Sequence, residues 1–306
     1  MRRPESWTAG AVPSALGTAA VALLWGTSGA FVRFLDLPAA EIACLRAALG
    51  AVAVSAWLVL RNRSFRMSLP RAGLRALLIS GVLLAVHWLT FVMALQRAPI
   101  GTVLTGIYLA PIVVAALARR TLGERVSGTT LLTTVAAVAG SALVLRPGET
   151  GGWTGVATIL VSALTYAGSI LAGKKALRTS APLVVASGQL GVTAIVLAPL
   201  LLIDVEPLSV AAAGALLLLG VVYSAVAMVV YLVSLRGISA TSSAILLCLE
   251  PVAGFGTGWA LFGERPHPLT VVGALTVLAA GTLVTVGTTR ADASRAPHPP
   301  RQRGST

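Results

Sequence analysis

Few side chains in this 306-residue chain can do chemistry, and most of those that can lie inside long apolar runs. Glu250 is the foremost, placed near the middle of such a run and followed at once by Pro251. A carboxyl group there can take a proton, a sodium ion or an amine; the structural alternative is a protonated acid hydrogen-bonded between helices. An ionised side chain at the centre of a bilayer costs at least ~2.5–3.5 kcal/mol, so such groups face interior cavities and are functional by default. Arg46 can hold a substrate carboxylate or neutralise Glu250; its structural alternatives are snorkelling to headgroups or pairing with Glu41. His87, beside Trp88, can relay protons or pack through one hydrogen bond. Gln189 reads as an interhelical hydrogen-bonding group, and Trp25, Tyr108, Tyr166 and Tyr223 as walls of an aromatic pocket or as packing. The candidate substrate- and proton-binding set is therefore Glu250, Arg46, His87, Tyr108, Trp25 and Gln189.

Other chemistries lack their residues. Cys44 and Cys248 both sit in apolar runs and read as small buried hydrophobes, so no metal ligand set is expected from them. No cofactor motif, P-loop, H-E-x-x-H or Ser-His-Asp set is present, and the chain does not read as an enzyme. Without an ATPase motif, any pumping must draw on an ion gradient or on the substrate's own gradient.

The elements that position these residues are written twice. Leu109-Ala110-Pro111 followed by Gly123-Glu124-Arg125 recurs, 140 positions on, as Leu249-Glu250-Pro251 followed by Gly263-Glu264-Arg265. Leu95 and Leu235, Thr130 and Thr270, and Leu143-Val144 and Leu283-Val284 keep the same offset. The acid at position 250 has Ala110 as its mate, whereas the proline stands in both copies. Proline removes a backbone donor and unseats the carbonyl one turn earlier, so Pro111 and Pro251 are candidate hinges. Glu124 and Glu264, just before the fifth and tenth runs, read as carboxylates on the free amides of the helices that follow.

Composition decides the surroundings. The chain is 56% hydrophobic and 11% charged, with mean hydropathy +0.89, where soluble domains carry about 25% charged residues. Ten runs of membrane-crossing length are expected at 14–34, 40–60, 74–95, 98–118, 127–145, 153–173, 182–203, 209–234, 238–262 and 267–288. The fold class that follows is all-α and integral to the membrane, with ten transmembrane helices. Five runs per copy force the second copy to enter the bilayer upside down, giving two inverted five-helix repeats, 14–145 and 153–288. Segment 1–13 precedes them, and 289–306 follows as a disordered basic tail. The glycines, as in Gly254, Gly256 and Gly258, suit close helix packing.

The net charge of +13 does not point to nucleic acid, because the cations lie in short connections with no stacking aromatics among them. With the N-terminus inside, 18 of the 23 Lys and Arg fall in inside segments and four, Arg33, Arg97, Arg146 and Arg265, outside. Both termini are therefore expected in the cytoplasm, with the chain in the plasma (inner) membrane. Its partners are then the lipid bilayer and a small-molecule substrate, with a homodimer left open.

Trp25-Gly26-Thr27-Ser28, Arg46-Ala47 and the L-x-P…G-E pattern ending each half resemble the EamA family of the drug/metabolite transporter superfamily, across about 14–288. The resemblance implies ten helices around a central cavity with alternating access. Leu249-Glu250-Pro251 is also similar to the segment in amino-acid and homoserine/threonine exporters of that superfamily. That implies efflux of a small zwitterion in exchange for protons, with Glu250, and less directly Arg46, as its site. The chain thus reads as a secondary active transporter, a proton-coupled exporter of small metabolites such as amino acids. An ion or proton channel and a membrane protein without transport are the alternatives; inverted duplication favours alternating access over a channel.

Overall fold

The computed structural model describes residues 7–61, 70–123, 136, 139–140, 143–202 and 208–293, and among these no strand occurs. Among the described residues, eight helical stretches are long and apolar enough to cross a membrane: Pro13–Leu35, Ala39–Leu60, Arg71–Leu95, Ile100–Ala118, Trp153–Ala176, Pro182–Leu201, Val210–Gly237 and Ala240–Phe262. They match the first four and the sixth to ninth expected runs. A shorter apolar stretch, Pro268–Ala280, opens the tenth; its helix continues to Ala293, and the first helix begins at Trp7. Most of the fifth run, and Glu124 just before it, lie outside the described residues, as does the tail from 294.

Several spans are broken, and the breaks have local causes. The fourth span runs as Ile100–Ile107, turns at Tyr108 and Leu109, and restarts as Ala110–Leu122. The ninth runs as Ala240–Leu246, tightens into the 3-10 turn Leu247–Leu249, and restarts as Glu250–Phe262. Pro111 and Pro251 are each the second residue of the restarted helix, where a missing N–H costs nothing. Their rings exclude the carbonyl four residues earlier, and the breaks fall at those residues, Ile107 and Leu247. The first span also breaks, at Thr27, between Trp7–Gly26 and Ser28–Leu35. In the eighth, a π-helical turn over Leu219–Val226 separates Val210–Leu218 from Ala227–Gly237. Such turns leave the i→i−4 ladder and gather at functional sites.

The most extensive packing joins one repeat to the other. The third span lies between the sixth and seventh, the second against the seventh and eighth, the first against the eighth and ninth, and the fourth against the ninth. Hydrogen bonds fix the directions. Ser80 and His87 of the third span meet Ser169 and Ser162 of the sixth, an antiparallel register. Large apolar side chains such as Val52, Leu60, Ile195 and Leu261 remain exposed on the outer faces, where lipid is their natural solvent.

Gly26 shows why glycine is needed at one crossing. A methyl group there would collide with the Glu250 carbonyl and the Ala253 side chain. The first span can press onto the break in the ninth only because this position is bare.

Candidate functional site

The breaks surround a buried cavity lined by both repeats. Trp25, Ser28, Arg46, His87 and Trp88 come from the first, and Tyr166, Ser169, Gln189, Tyr231 and Glu250 from the second. The space open to water is about 40 Å³, enough for roughly three water molecules.

Glu250 is 7% exposed and begins the restarted helix of the ninth span. Tyr108, from the matching break in the fourth span and 1% exposed, donates its hydroxyl to Glu250 Oε2 at 2.6 Å. The two broken helices therefore meet through one short hydrogen bond, with the acid from one repeat and the donor from the other. Tyr108 reaches Glu250 from behind the lining.

Arg46 is 2% exposed and neither snorkels nor pairs with Glu41. Its guanidinium carbon sits 4.1 Å from the centroid of the Trp88 ring, and Nε donates to Ser224 Oγ at 3.2 Å. Ser224 belongs to the π-helical turn and itself donates to the Leu219 carbonyl at 2.9 Å. Arg46 Nη1 is buried without a hydrogen-bond partner, and the 4.0 Å ion pairs among the described residues include none between Arg46 and Glu250. Glu41, 1% exposed, has neither carboxylate oxygen hydrogen-bonded. The five-residue spacing that suggested an Arg46–Glu41 pair fails because the two side chains leave the helix on different faces.

His87 stacks between Tyr166 and Phe91, with centroids 4.4 and 5.6 Å away. Its Nδ1 meets Ser162 Oγ at 2.9 Å and the Ser162 carbonyl at 3.1 Å. Gln189 donates through Nε2 to Ser80 Oγ at 2.8 Å and Ser169 Oγ at 3.1 Å, while Oε1 has no partner. Trp25 lines the cavity but is anchored behind it, donating Nε1 to the Tyr223 carbonyl at 2.7 Å. Tyr223 itself does not line the cavity; its hydroxyl bonds Thr27 Oγ1 at 2.7 Å. The Trp-Gly-Thr stretch thus fastens the first span to the eighth and seats it on the ninth.

Sequence reasoning missed Tyr231, Ser169 and Ser224. Tyr231 lines the cavity and packs 5.4 Å from Trp25. Their only signal was a polar atom in an apolar run, shared by many serines that merely bond their own helix. Arg46 Nη1, Gln189 Oε1 and Tyr166 Oη are all buried without a hydrogen-bond partner, and all belong to residues lining this one cavity. Buried polar atoms without partners cost stability, and a bound polar molecule could satisfy those that belong to the cavity lining. Among the described residues, no cluster of three or more His, Cys, Asp or Glu could hold a metal ion.

Glu264 does not cap the helix that follows it. That end is served by His267, whose carbonyl accepts from Thr270 and Val271 and whose Nδ1 accepts from the Leu269 amide at 3.2 Å. Glu264 instead accepts from the Ile100 amide, at 3.2 and 3.0 Å, at the start of the fourth span.

Comparison with known proteins follows the same two-part division. The EamA-like transporter family matches residues 13–146 and again 153–286. Pseudopaline exporter CntI of Pseudomonas aeruginosa, in strains UCBPP-PA14 and PAO1, is 27% identical over 246 residues, which span 80% of this chain and 85% of the exporter. A crystal structure at 18% identity superposes with a TM-score of 0.70 over 90% of this chain and 97% of its own, a likeness of fold.

Proposed function

Since the chain belongs to the EamA-like transporter family, we propose that it is a proton-coupled exporter of small zwitterionic metabolites such as amino acids, working by alternating access from the inner membrane with both termini in the cytoplasm. One observation carries this reading: unpartnered polar atoms of both signs of hydrogen bonding gather in a buried cavity between the repeats, beside one acid and one guanidinium. Arg46 Nη1 is a free donor for a carboxylate, held in place by Trp88 and Ser224. Gln189 Oε1 is a free acceptor for an ammonium group, and Glu250 supplies the negative charge. Tyr108 steadies the acid from the opposite repeat. Resemblance to exporters supports the outward direction.

In this cycle Glu250 and the ammonium group of the cargo compete for one place. Cargo entering from the cytoplasm displaces the proton from Glu250; after the cavity turns outward, a proton from outside returns to Glu250 as the cargo leaves. Pro111 and Pro251 put flexible breaks where the repeats meet, so the two halves of each broken span can tilt separately. The water-accessible volume of about 40 Å³ fits a cavity that must rearrange rather than a standing pore.

The test is exchange in reconstituted vesicles under an imposed pH gradient, screening amino acids and cationic drugs, with Glu250→Gln alongside. The expected result is gradient-driven movement of at least one amino acid, with the variant losing dependence on pH. Transport indifferent to both the gradient and the substitution would remove the proton from the mechanism and leave Glu250 with a structural or cargo-binding task.

A further inference from the structure

The duplication that shapes the cavity also duplicates a feature away from it. Arg33, at the end of the first span, reaches over the end of the third: Nε donates to the Leu95 carbonyl at 3.2 Å and Nη2 to the Ala98 carbonyl at 2.6 Å. Nη1 forms an ion pair with Glu264, which also accepts from the Ile100 amide at the start of the fourth span. The ring of Phe262 covers the guanidinium, 5.2 Å from its carbon. Glu264 comes from the connection between the ninth and tenth spans, so this clasp bolts the second repeat onto the first. Gly263, with φ +63°, makes the left-handed turn that leads out of the ninth span to Glu264.

The second repeat carries the same arrangement. Lys174, at the end of the sixth span, donates to the carbonyls of Leu235 and Ile238. Those residues are the 140-residue mates of Leu95 and Ala98, and Lys174 stands one position beyond the mate of Arg33. Ala240 opens the ninth-span helix as Ile100 opens the fourth. Glu124, the sequence mate of Glu264, lies outside the described residues. A tie between repeats at this end is nevertheless present, because Arg178 Nη2 donates to the Leu122 carbonyl, and Gly123 just beyond has the same left-handed turn, φ +72°.

The clasps occupy opposite ends of the bundle. The antiparallel register of Ser80 with Ser169 and His87 with Ser162 puts Lys174 roughly level with residue 75, about 20 residues and ~30 Å from the Leu95 end. The cavity lies between the two levels.

We propose that these clasps are the two gates of the transport cavity, with Arg33 and Lys174 as matched gate cations. Each cation gathers the helix ends whose separation would open the cavity at its own end. Each rests in a setting where its hydrogen bonds are either made or replaced by water, with little between. Release of the Arg33–Glu264 clasp frees the Leu95 end while the Lys174 clasp holds the other, and the reverse step completes the cycle. The proposal rests on the alternating-access part of the proposed function, not on its cargo or coupling ion.

The experiment uses the full chain in sided vesicles, with Cys44→Ala and Cys248→Ala removing the native thiols and Met228→Cys placing one in the cavity lining. A charged, membrane-impermeant thiol reagent is applied to one face at a time. Arg33→Gln and Glu264→Gln are expected to speed labelling from the Leu95 end by about tenfold, the scale of one charge-assisted hydrogen bond, with no gain from the other face. Lys174→Gln is expected to do the reverse. Arg33→Lys keeps the cation type that the second clasp uses and should retain the parental rate, which a merely destabilised protein would not. Equal acceleration from both faces, acceleration from the same face for all three Gln variants, or unchanged rates would overturn the proposal. Labelling requires no substrate, so it separates a failure of the gates from a failure of proton coupling at Glu250.

Discussion

The hydrogen bond from Tyr108 to Glu250 sets a coupling energy that can be measured. Tyr108→Phe keeps the ring in a position 1% exposed, so no cavity contribution arises, and removes only the hydroxyl 2.6 Å from Glu250 Oε2. The carboxylate oxygen then loses its donor in a site 7% exposed. Leaving a buried acceptor unsatisfied costs about 1–3 kcal/mol. Glu250→Gln alone perturbs the same bond by exchanging the carboxyl group for an amide. In the double variant neither loss is suffered twice, so its total should fall short of the sum of the single costs by about 1–2 kcal/mol. Unfolding by titration with a denaturing detergent in mixed micelles, monitored by tryptophan emission, gives all four corners of the cycle. Additivity to within ~0.5 kcal/mol would refute the reasoning, because it would mean that the acid does not depend on the tyrosine from the opposite repeat.

Two further changes test the scaffold around the site. Gly26→Ala should cost about 1–3 kcal/mol by overpacking against the Glu250 carbonyl and Ala253, and should depress exchange; Gly191→Ala, where an added methyl meets nothing within 4 Å, should leave both unfolding and exchange near the parental values. Trp88→Leu removes the ring beneath buried Arg46 and should cost about 2 kcal/mol or more, the cavity left by the smaller side chain included, with weaker apparent affinity for carboxylate-bearing cargo; an unchanged affinity would show that Arg46 does not need this support.

Much of the molecule follows from the sequence because it follows from local physics. Runs of about 20 apolar residues have one stable disposition, a helix across a bilayer, and eight of the ten expected are found among the described residues. The breaks at Ile107 and Leu247 were equally legible, because proline acts on the carbonyl four residues behind it whatever the surroundings. That Glu250 lies buried could be read from its neighbours in the chain. Its partner could not, for Tyr108 stands 142 residues away. The same limit explains Arg46, which sequence spacing offered to Glu41 and which the fold gives to Trp88 and to Ser224, 178 residues distant. It explains Glu264 as well, adjacent to one helix and bound to the start of another 164 residues earlier. Hydropathy determines which residues enter the membrane and where a helix must yield. Only the packing of one repeat against the other decides which polar atoms meet, because those contacts depend on helix rotation and register, and neither is encoded in any single run.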